Sequence, residues 1–147
     1  MTQRGAKKAV KKKQPAKKKT TTNNREAAPQ EFQAVFDALR KLLSGYEDRL
    51  ACKWPNPGYY YLESTTPTYK KRPMAFAGVR TGKNYVSYHL VPVYAAPELG
   101  KNMSPELKRR MQGKGCFNFT TVDERLFREI ESLTEAGYRN FKKRNWL

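Results

Sequence analysis

The chain has no long hydrophobic run, and this absence limits the classes of protein to which it can belong. No stretch of about 18 consecutive apolar residues occurs among its 147 residues, so a membrane-spanning helix is not predicted. The basic N-terminal stretch is followed by no apolar segment, so a secretory signal is not predicted either. We therefore expect a cytoplasmic protein without a membrane partner, with association with the nucleoid as one alternative.

Histidine and cysteine are also scarce. His89 is the single histidine, so no His-rich metal site is expected, and Cys52 and Cys116 have neither CxxC spacing nor a histidine nearby. Two small buried thiols are the simplest interpretation, with a reactive or bridging cysteine as the alternative. Ser87 and His89 lie two residues apart on one strand, too far for direct proton transfer. With no paired carboxylates, nucleophile–base pair or cofactor loop, the sequence predicts a non-enzymatic protein without metal or cofactor.

Acidic residues are missing from the first 25 positions, which contain ten lysine or arginine residues, one valine and no aromatic residue. Such a segment cannot bury enough apolar surface to offset the entropy lost on ordering, so we predict a disordered, lysine-rich arm over residues 1–28. The formal charge is +10 for residues 1–25 and +7 for the rest of the chain. Both parts therefore favour polyanionic partners.

The lysines of the arm occur in runs separated by alanine and proline, and in this they resemble the tails of linker histones. Contacts with about six to eight phosphates would release condensed counterions and bind DNA or RNA without reading the bases. A solubilising tail and a targeting signal are the alternatives. The predicted polyanion-binding residues are Lys7, Lys8, Lys11, Lys12, Lys13, Lys17, Lys18 and Lys19.

Three helices are predicted in the folded part, residues 29–147. Apolar residues at helical spacing indicate a first helix of about 15 residues that begins near Pro29 and stops at Gly45. Ser104 is suited to cap a short basic helix that ends near Gly113. The residues Thr121–Glu124 have the form of a capping box, and a C-terminal helix of about 20 residues is expected after it.

Strands are predicted between these helices. Residues 59–62 and 115–119 have strand character, whereas 54–58 and 64–67 are expected to form a break and a loop. The order contains no repeated strand–helix–strand unit. An α+β fold with an antiparallel sheet, a central β-hairpin and flanking helices is therefore predicted.

The central hairpin joins two apolar runs, residues 74–81 and 84–91, through Gly82-Lys83. Glycine at the first central position suits a type II′ turn. One face of the hairpin is then uniformly apolar and should pack on the helices. The expected cross-strand pairs are Val79 with Val86, Ala77 with Tyr88, and Ala75 with Leu90.

The opposite face of the hairpin is mixed in character and is the candidate ligand site. One cation and several hydrogen-bond donors would suit a small anion or a stacked base. The alternatives are side chains that merely cover an exposed sheet, or that pack beneath a helix. The candidate ligand residues are Phe76, Arg80, Tyr85, Ser87, His89 and, from the following turn, Lys114.

Three segments carry a resemblance to a known family. The runs KRPMAFAGVR (71–80), YVSYH (85–89) and GKGCFNF (113–119) resemble the YdhG-like family, also called the DUF1801 domain. The resemblance implies an α+β domain over residues 29–147. One group of that family is described as frataxin-like iron chaperones, so the resemblance also implies a small-ligand or iron-carrier function as an alternative. No acidic ridge matches, so no iron ligand is assigned.

Overall fold

The computed structural model describes residues 31–147, and the arm predicted over residues 1–28 lies outside them. In this range the first helix, α1, covers residues 31–44 and ends before Gly45, the predicted stop. No helix of residues 31–147 combines the length and apolar character needed to cross a membrane. The elements after α1 are β1 (Ala51–Asn56), β2 (Tyr59–Tyr69), β3 (Arg72–Thr81), β4 (Val86–Leu90), α2 (Val91–Ala95), a 3-10 helix (Pro97–Gly100), α3 (Pro105–Arg110), β5 (Met111–Gln112), β6 (Cys116–Phe119) and α4 (Glu124–Lys143).

The six strands form one antiparallel sheet in the order β1-β2-β3-β4-β6-β5. Helices α1 and α4 pack on the same face of it. Tyr88 of β4 is hydrogen-bonded to Thr134 of α4, with the two hydroxyl oxygens 2.6 Å apart. The guanidinium carbon of Arg40 in α1 lies 4.0 Å from the ring centre of Trp54 in β1. The predicted α+β class, with helices flanking an antiparallel sheet, is confirmed.

Strands β3 and β4 form the predicted hairpin, but its turn lies one residue later than expected. The Gly82 N–H donates to the Tyr85 carbonyl at 2.8 Å, so the turn is Lys83-Asn84, and Gly82 lacks the positive φ of a type II′ turn. A one-residue move of the turn changes the register by two positions. Because side chains alternate with period two, Val79, Ala77, Val86, Tyr88 and Leu90 still face the helices. Ala75, also predicted to face them, is exposed, because a bulge at Phe76 reverses the alternation before it. The observed pairs are Val79 with Tyr88, Ala77 with Leu90, and Thr81 with Val86.

The predicted position of Phe76 on the mixed face is wrong. The register between β2 and β3 changes from Leu62–Ala77 to Glu63–Ala75, so β3 contains one extra residue at Phe76. Such a bulge interrupts the alternation, and both Phe76 and Ala77 face the helices, where they are buried. Phe76 is therefore a core residue, with its ring centroid 5.5, 5.8 and 6.5 Å from those of Tyr46, Tyr138 and Phe141.

Strand β1 and the second half of β2 also differ from the prediction. The expected break at 54–58 contains the end of β1, and the expected loop at 64–67 lies inside β2. Pro55 is tolerated because β1 is an edge strand, where a missing N–H leaves no partner unsatisfied. Ser64 is buried in β2, where its hydroxyl accepts from the Met74 N–H at 2.8 Å. Pro55 and Ser64 are therefore accommodated because of where β1 and β2 lie in the sheet.

The two later helices follow the prediction in position but differ at one end each. Ser104 caps α3 as expected, and α3 ends at Arg110, before the predicted Gly113, because the chain enters β5. Helix α4 has the predicted length of 20 residues. Its cap is the Asp123 carboxylate rather than Thr121.

Candidate functional site

The face of the sheet opposite α1 and α4 carries two rows of side chains that run across the strands. We call this surface the open face. Residues paired across an antiparallel ladder point to the same side, so the strand register defines the rows. One row is Tyr59, Arg80, Ser87 and Asn118, and the next is Tyr61, Gly78, His89 and Cys116.

A depression of about 370 Å³ lies on the open face, with Gly78 in its lining. Gly78 lies between Tyr61 and His89 in its row, so the two rings flank a position without a side chain. We call the part of the depression over Gly78, between Tyr61 and His89, the slot.

Only glycine fits at the floor of this slot. A Cβ atom at position 78 would lie 2.7 Å from the Tyr61 Cβ and 3.1 Å from the Tyr60 carbonyl oxygen. Cβ atoms of facing residues in an antiparallel pair are normally about 4.5–5.5 Å apart, so β2 and β3 come unusually close here. Glycine at position 78 therefore accounts both for the close approach of β2 and β3 and for the absence of a side chain at the floor of the slot.

Two tyrosines of β2 form the aromatic side of the depression. The rings of Tyr59 and Tyr61 meet edge to face, with centroids 5.9 Å apart, and both residues are partly buried. The Tyr61 hydroxyl donates to a Glu63 carboxylate oxygen at 2.9 Å, and the other Glu63 oxygen lies 3.9 Å from the Lys53 Nζ. Burial, and then the bond to Glu63, raises the pKa of Tyr61. Its phenol is therefore protonated and fixed in orientation at neutral pH.

Hydrogen bonds occupy the polar side chains at the other end of the first row. The Ser87 hydroxyl donates to the Asn118 Oδ1 at 2.7 Å, and the Asn118 Nδ2 donates to the Gln112 Oε1 at 2.7 Å. Arg80, in the same row, is exposed and forms no ion pair with residues 31–147. Within the described part of the chain, its guanidinium is thus available to an anion beside the slot.

The structure corrects the expectation that Cys116 has no histidine nearby. Cys116 and His89 face each other across β6 and β4, with the Sγ 3.2 Å from the Nδ1. Burial raises the pKa of the thiol and lowers the pKa of the imidazole, so both groups are uncharged at neutral pH. A nucleophilic thiolate requires a lowered thiol pKa. The contact is therefore a neutral hydrogen-bonded pair rather than an activated nucleophile.

The predicted burial of both cysteines is wrong as well. Cys52 is exposed on the edge strand β1, and Cys116 is partly exposed in the depression. A cysteine side chain does not indicate by itself which face of a strand packs against the helices. The exposure of Cys52 and Cys116 therefore depends on the order of the strands in the sheet.

Three of the six predicted ligand residues line the depression: Arg80, Ser87 and His89. Tyr85 follows the β3–β4 turn, where its hydroxyl lies 3.5 Å from the Gln112 Oε1, and Lys114 is exposed in the turn before β6. Neither lines the depression, and Phe76 lies in the core. The eight predicted polyanion-binding lysines of the arm lie outside the described residues.

The sequence prediction omits four residues of the open face: Tyr59, Tyr61, Cys116 and Asn118. A signal for the tyrosines exists, because alternate positions of the predicted strand 59–62 share a face. Cys116 and Asn118 likewise alternate in the predicted strand 115–119. Which face is exposed depends on β2 lying beside β3 and β6 beside β4, and local patterns do not contain that information.

Comparison with known proteins adds no relative. No protein-family model, curated protein or solved structure matches the chain. In residues 31–147, no three or more histidine, cysteine, aspartate and glutamate side chains are grouped so as to hold a metal ion. The geometry of the open face is therefore the basis for the function proposed next.

Proposed function

We propose that this protein binds single-stranded nucleic acid, with the lysine-rich arm contacting phosphates and the open face holding an unpaired base. The observation that carries this proposal is the slot over Gly78, between the rings of Tyr61 and His89. Every base has a π face, so stacking on aromatic rings tolerates any sequence. The expected activity is binding with little sequence preference and without catalysis.

The slot favours a single strand over a duplex. In a duplex both faces of a base are covered by its neighbours, whereas an unpaired base can be splayed out onto a protein ring. Arg80 lies two residues from Gly78 on β3, roughly 7 Å along the strand. From there its guanidinium reaches the adjoining phosphate or stacks on a second base.

The arm supplies affinity that does not depend on sequence. Each phosphate contacted on a single strand contributes about −0.7 to the slope of log affinity against log salt concentration. Six to eight contacts therefore predict a slope of about −4 to −6. Such binding is expected in the cytoplasm, with the nucleoid or cellular RNA as the source of polyanion.

Two strands of equal charge separate the roles of base and phosphate. We suggest fluorescence anisotropy with a 12-nucleotide oligothymidylate and an abasic strand of the same length, as DNA, and with oligouridylate as the RNA counterpart. Stacking contributes about 1–3 kcal/mol per base, so the intact chain should bind the base-containing strand about fivefold more tightly or better. Tyr61→Ala should remove this preference. Removal of residues 1–25 should weaken binding to both strands and flatten the salt slope.

Trp54→Ala provides the matched control, since it removes an exposed aromatic ring from the helix side of the sheet. Trp54 is 47% exposed, and its ring packs edge to face on Tyr60 at 5.8 Å. The base preference should survive this change. Equal affinity of the intact chain for both strands would exclude the open face, and unchanged binding without residues 1–25 would exclude the arm.

A small planar anion is the second candidate ligand of the same depression. Its volume of about 370 Å³ falls within the usual range for small-molecule sites, and Arg80 supplies a cation. Calorimetry with nucleoside monophosphates, inorganic phosphate and ferrous iron tests this function and the iron carriage implied by the YdhG-like resemblance. Binding of a monophosphate without any preference for base-containing strands would favour the small-ligand function.

A further inference from the structure

A second surface of the domain is strongly basic and lies where the β2–β3 turn meets the end of α4. Its six cations are all exposed, and none forms an ion pair with residues 31–147. No acidic residue occurs in the sequence segments 64–97 and 136–147. We call this surface the turn–helix patch, and its cations are Lys70, Lys71, Arg72, Lys142, Lys143 and Arg144.

A backbone motif at the end of α4 brings the two segments together. Asn145 has a φ of +61°, the Trp146 N–H donates to the Phe141 carbonyl at 2.9 Å, and the Asn145 N–H donates to the Lys142 carbonyl at 3.0 Å. These are the two bonds of a Schellman motif, which reverses the chain after a helix. The Trp146 ring consequently packs on Phe141 and Tyr69, with centroids 5.1 and 5.0 Å apart.

Two adjacent aromatic rings in the patch have a cation at each end. The rings of Tyr69 and Trp146 are partly exposed and meet at 73°. The Lys70 Nζ lies 5.2 Å from the Tyr69 ring centre, and the Arg144 Cζ lies 4.8 Å from the Trp146 ring centre. The Thr68 hydroxyl donates to the Trp146 carbonyl and ties β2 to the helix end. Basic side chains interleaved with aromatic rings suit the phosphates and bases of a single strand.

The conformation of the β2–β3 turn is unusual for its sequence. Lys70 and Lys71 form a two-residue turn between the paired residues Tyr69 and Arg72, with φ values of +48° and +63°. Turns with two positive φ values favour Asn-Gly or Asp-Gly, because a larger side chain is disfavoured in this region. A helix dipole accounts for cations at the end of α4 but not for two lysines in this turn. Lysine therefore occupies both turn positions despite the local conformational preference.

We propose that the turn–helix patch is a second contact site for the sugar–phosphate backbone of the strand, separate from the arm and from the open face. The proposal rests on the proposed function for the identity of the polyanion. Unbalanced charge, partly exposed rings flanked by cations, and lysines in a disfavoured turn all occur at this one surface.

Three double variants of the full chain test the patch. Lys70→Asn with Lys71→Gly removes two charges and relieves the turn, and Lys142→Gln with Lys143→Gln removes two charges from the helix end. Lys101→Gln with Lys108→Gln is the control, because it causes the same change of net charge at exposed residues elsewhere. Ser104 lies between the two control residues in the sequence and is bonded to Glu129, which is roughly 20 Å along α4 from Lys142. The control residues are therefore far from the patch.

Salt titrations with the 12-nucleotide strand give the expected outcome. Each lost phosphate contact should lower affinity about fivefold at 0.1 M salt and reduce the magnitude of the slope by about 0.7. Both patch variants should show this loss, and the control should keep the parental slope. The turn variant should also melt at a higher temperature than the parent, because its residues suit the turn. Weaker binding by a more stable protein is a result that damage to the fold does not produce.

The outcomes distinguish this proposal from the proposed function. In one outcome the turn variant binds as the control does, while removal of residues 1–25 and Tyr61→Ala still change binding as expected. That result excludes only the patch. If the intact chain binds no oligonucleotide, both proposals fail. Unchanged oligonucleotide binding combined with lost binding to phosphatidylserine vesicles would assign the patch to a membrane surface and overturn the nucleic-acid assignment.

Trp146 offers an independent measurement, since Trp54 is the only other tryptophan. In a Trp54→Phe variant all tryptophan emission comes from the patch. Saturating oligonucleotide should change the intensity of this emission, and the change should be smaller in the Lys142→Gln, Lys143→Gln background. Emission that does not respond at saturation would contradict the patch.

Discussion

The buried bond between Tyr88 and Thr134 leads to an asymmetric prediction for two conservative substitutions. Their side chains are 0% and 1% exposed, and the two hydroxyl oxygens are 2.6 Å apart. Thr134 also donates to the Ile130 carbonyl at 2.8 Å, so its one proton is committed and Tyr88 must be the donor in the pair. Thr134→Val therefore leaves a buried Tyr88 hydroxyl without an acceptor. Tyr88→Phe leaves Thr134 still bonded to Ile130.

The two single variants should consequently differ in stability. An unsatisfied buried donor costs about 1–3 kcal/mol, whereas loss of one hydrogen bond with the remaining group still partnered costs about 0.5–1.5 kcal/mol. We expect a decrease in the free energy of unfolding of about 2 kcal/mol for Thr134→Val and about 1 kcal/mol for Tyr88→Phe. At roughly 4 °C per kcal/mol for a domain of this size, the melting temperature falls by about 8 and about 4 °C.

The double variant completes the cycle. With both hydroxyls removed no donor is stranded, so the double variant should be no less stable than Thr134→Val alone. Urea titrations followed by circular dichroism give the three free energies, provided that the m value is unchanged. Equal losses for the two single variants, or strictly additive losses in the double variant, would refute the assignment of Tyr88 as donor.

Three further predictions concern pH and the end of α4. Burial lowers the pKa of His89 below its ordinary 6.5, so the folded state binds the proton less tightly than the unfolded state does. The free energy of unfolding should therefore decrease as the pH falls below 6.5. The NMR titration of this single histidine should have a midpoint below 6.5. Burial raises the pKa of Tyr46, Tyr60 and Tyr88. Their contribution to the free energy of unfolding is therefore complete below pH 10 and is lost at higher pH. Absorbance at 295 nm should show that these three phenols ionise only when the protein unfolds in alkali. Asn145→Ala should destabilise the protein by roughly 1 kcal/mol because of the positive φ, whereas Asn145→Gly should not, as thermal melting can establish.

Period-two alternation explains why the sequence predicts the faces of the hairpin better than its register. Val79 and Tyr88 face the helices whether the turn lies at Gly82-Lys83 or one residue later, since the slide is two positions. Gly82, Lys83 and Asn84 can each adopt several turn conformations, so their identities do not decide at which residue the chain reverses. The class of fold and the buried face could therefore be predicted, but the pairs could not.

The errors arise where a residue's environment comes from a distant segment. The bulge at Phe76 is a property of the β2–β3 pair and leaves no mark in the β3 sequence alone. Cys116 and His89 are 27 positions apart and meet only because β6 lies beside β4. Half of the candidate site could thus be predicted from the hairpin. The tyrosines and the thiol required the strand order of the whole sheet.

The edges of the sheet bear on how this protein tolerates crowding. A polyanion that holds many copies side by side raises their local concentration, which is the condition under which unpaired strand edges of different molecules join and aggregate. Here one edge, β5, has only two residues, and the other, β1, contains Pro55 and the charged Lys53. A proline and a lysine disfavour strand addition at β1, and β5 is too short to serve as a template. If the proposed function holds, neighbouring molecules bound to one strand should therefore remain separate and bind reversibly.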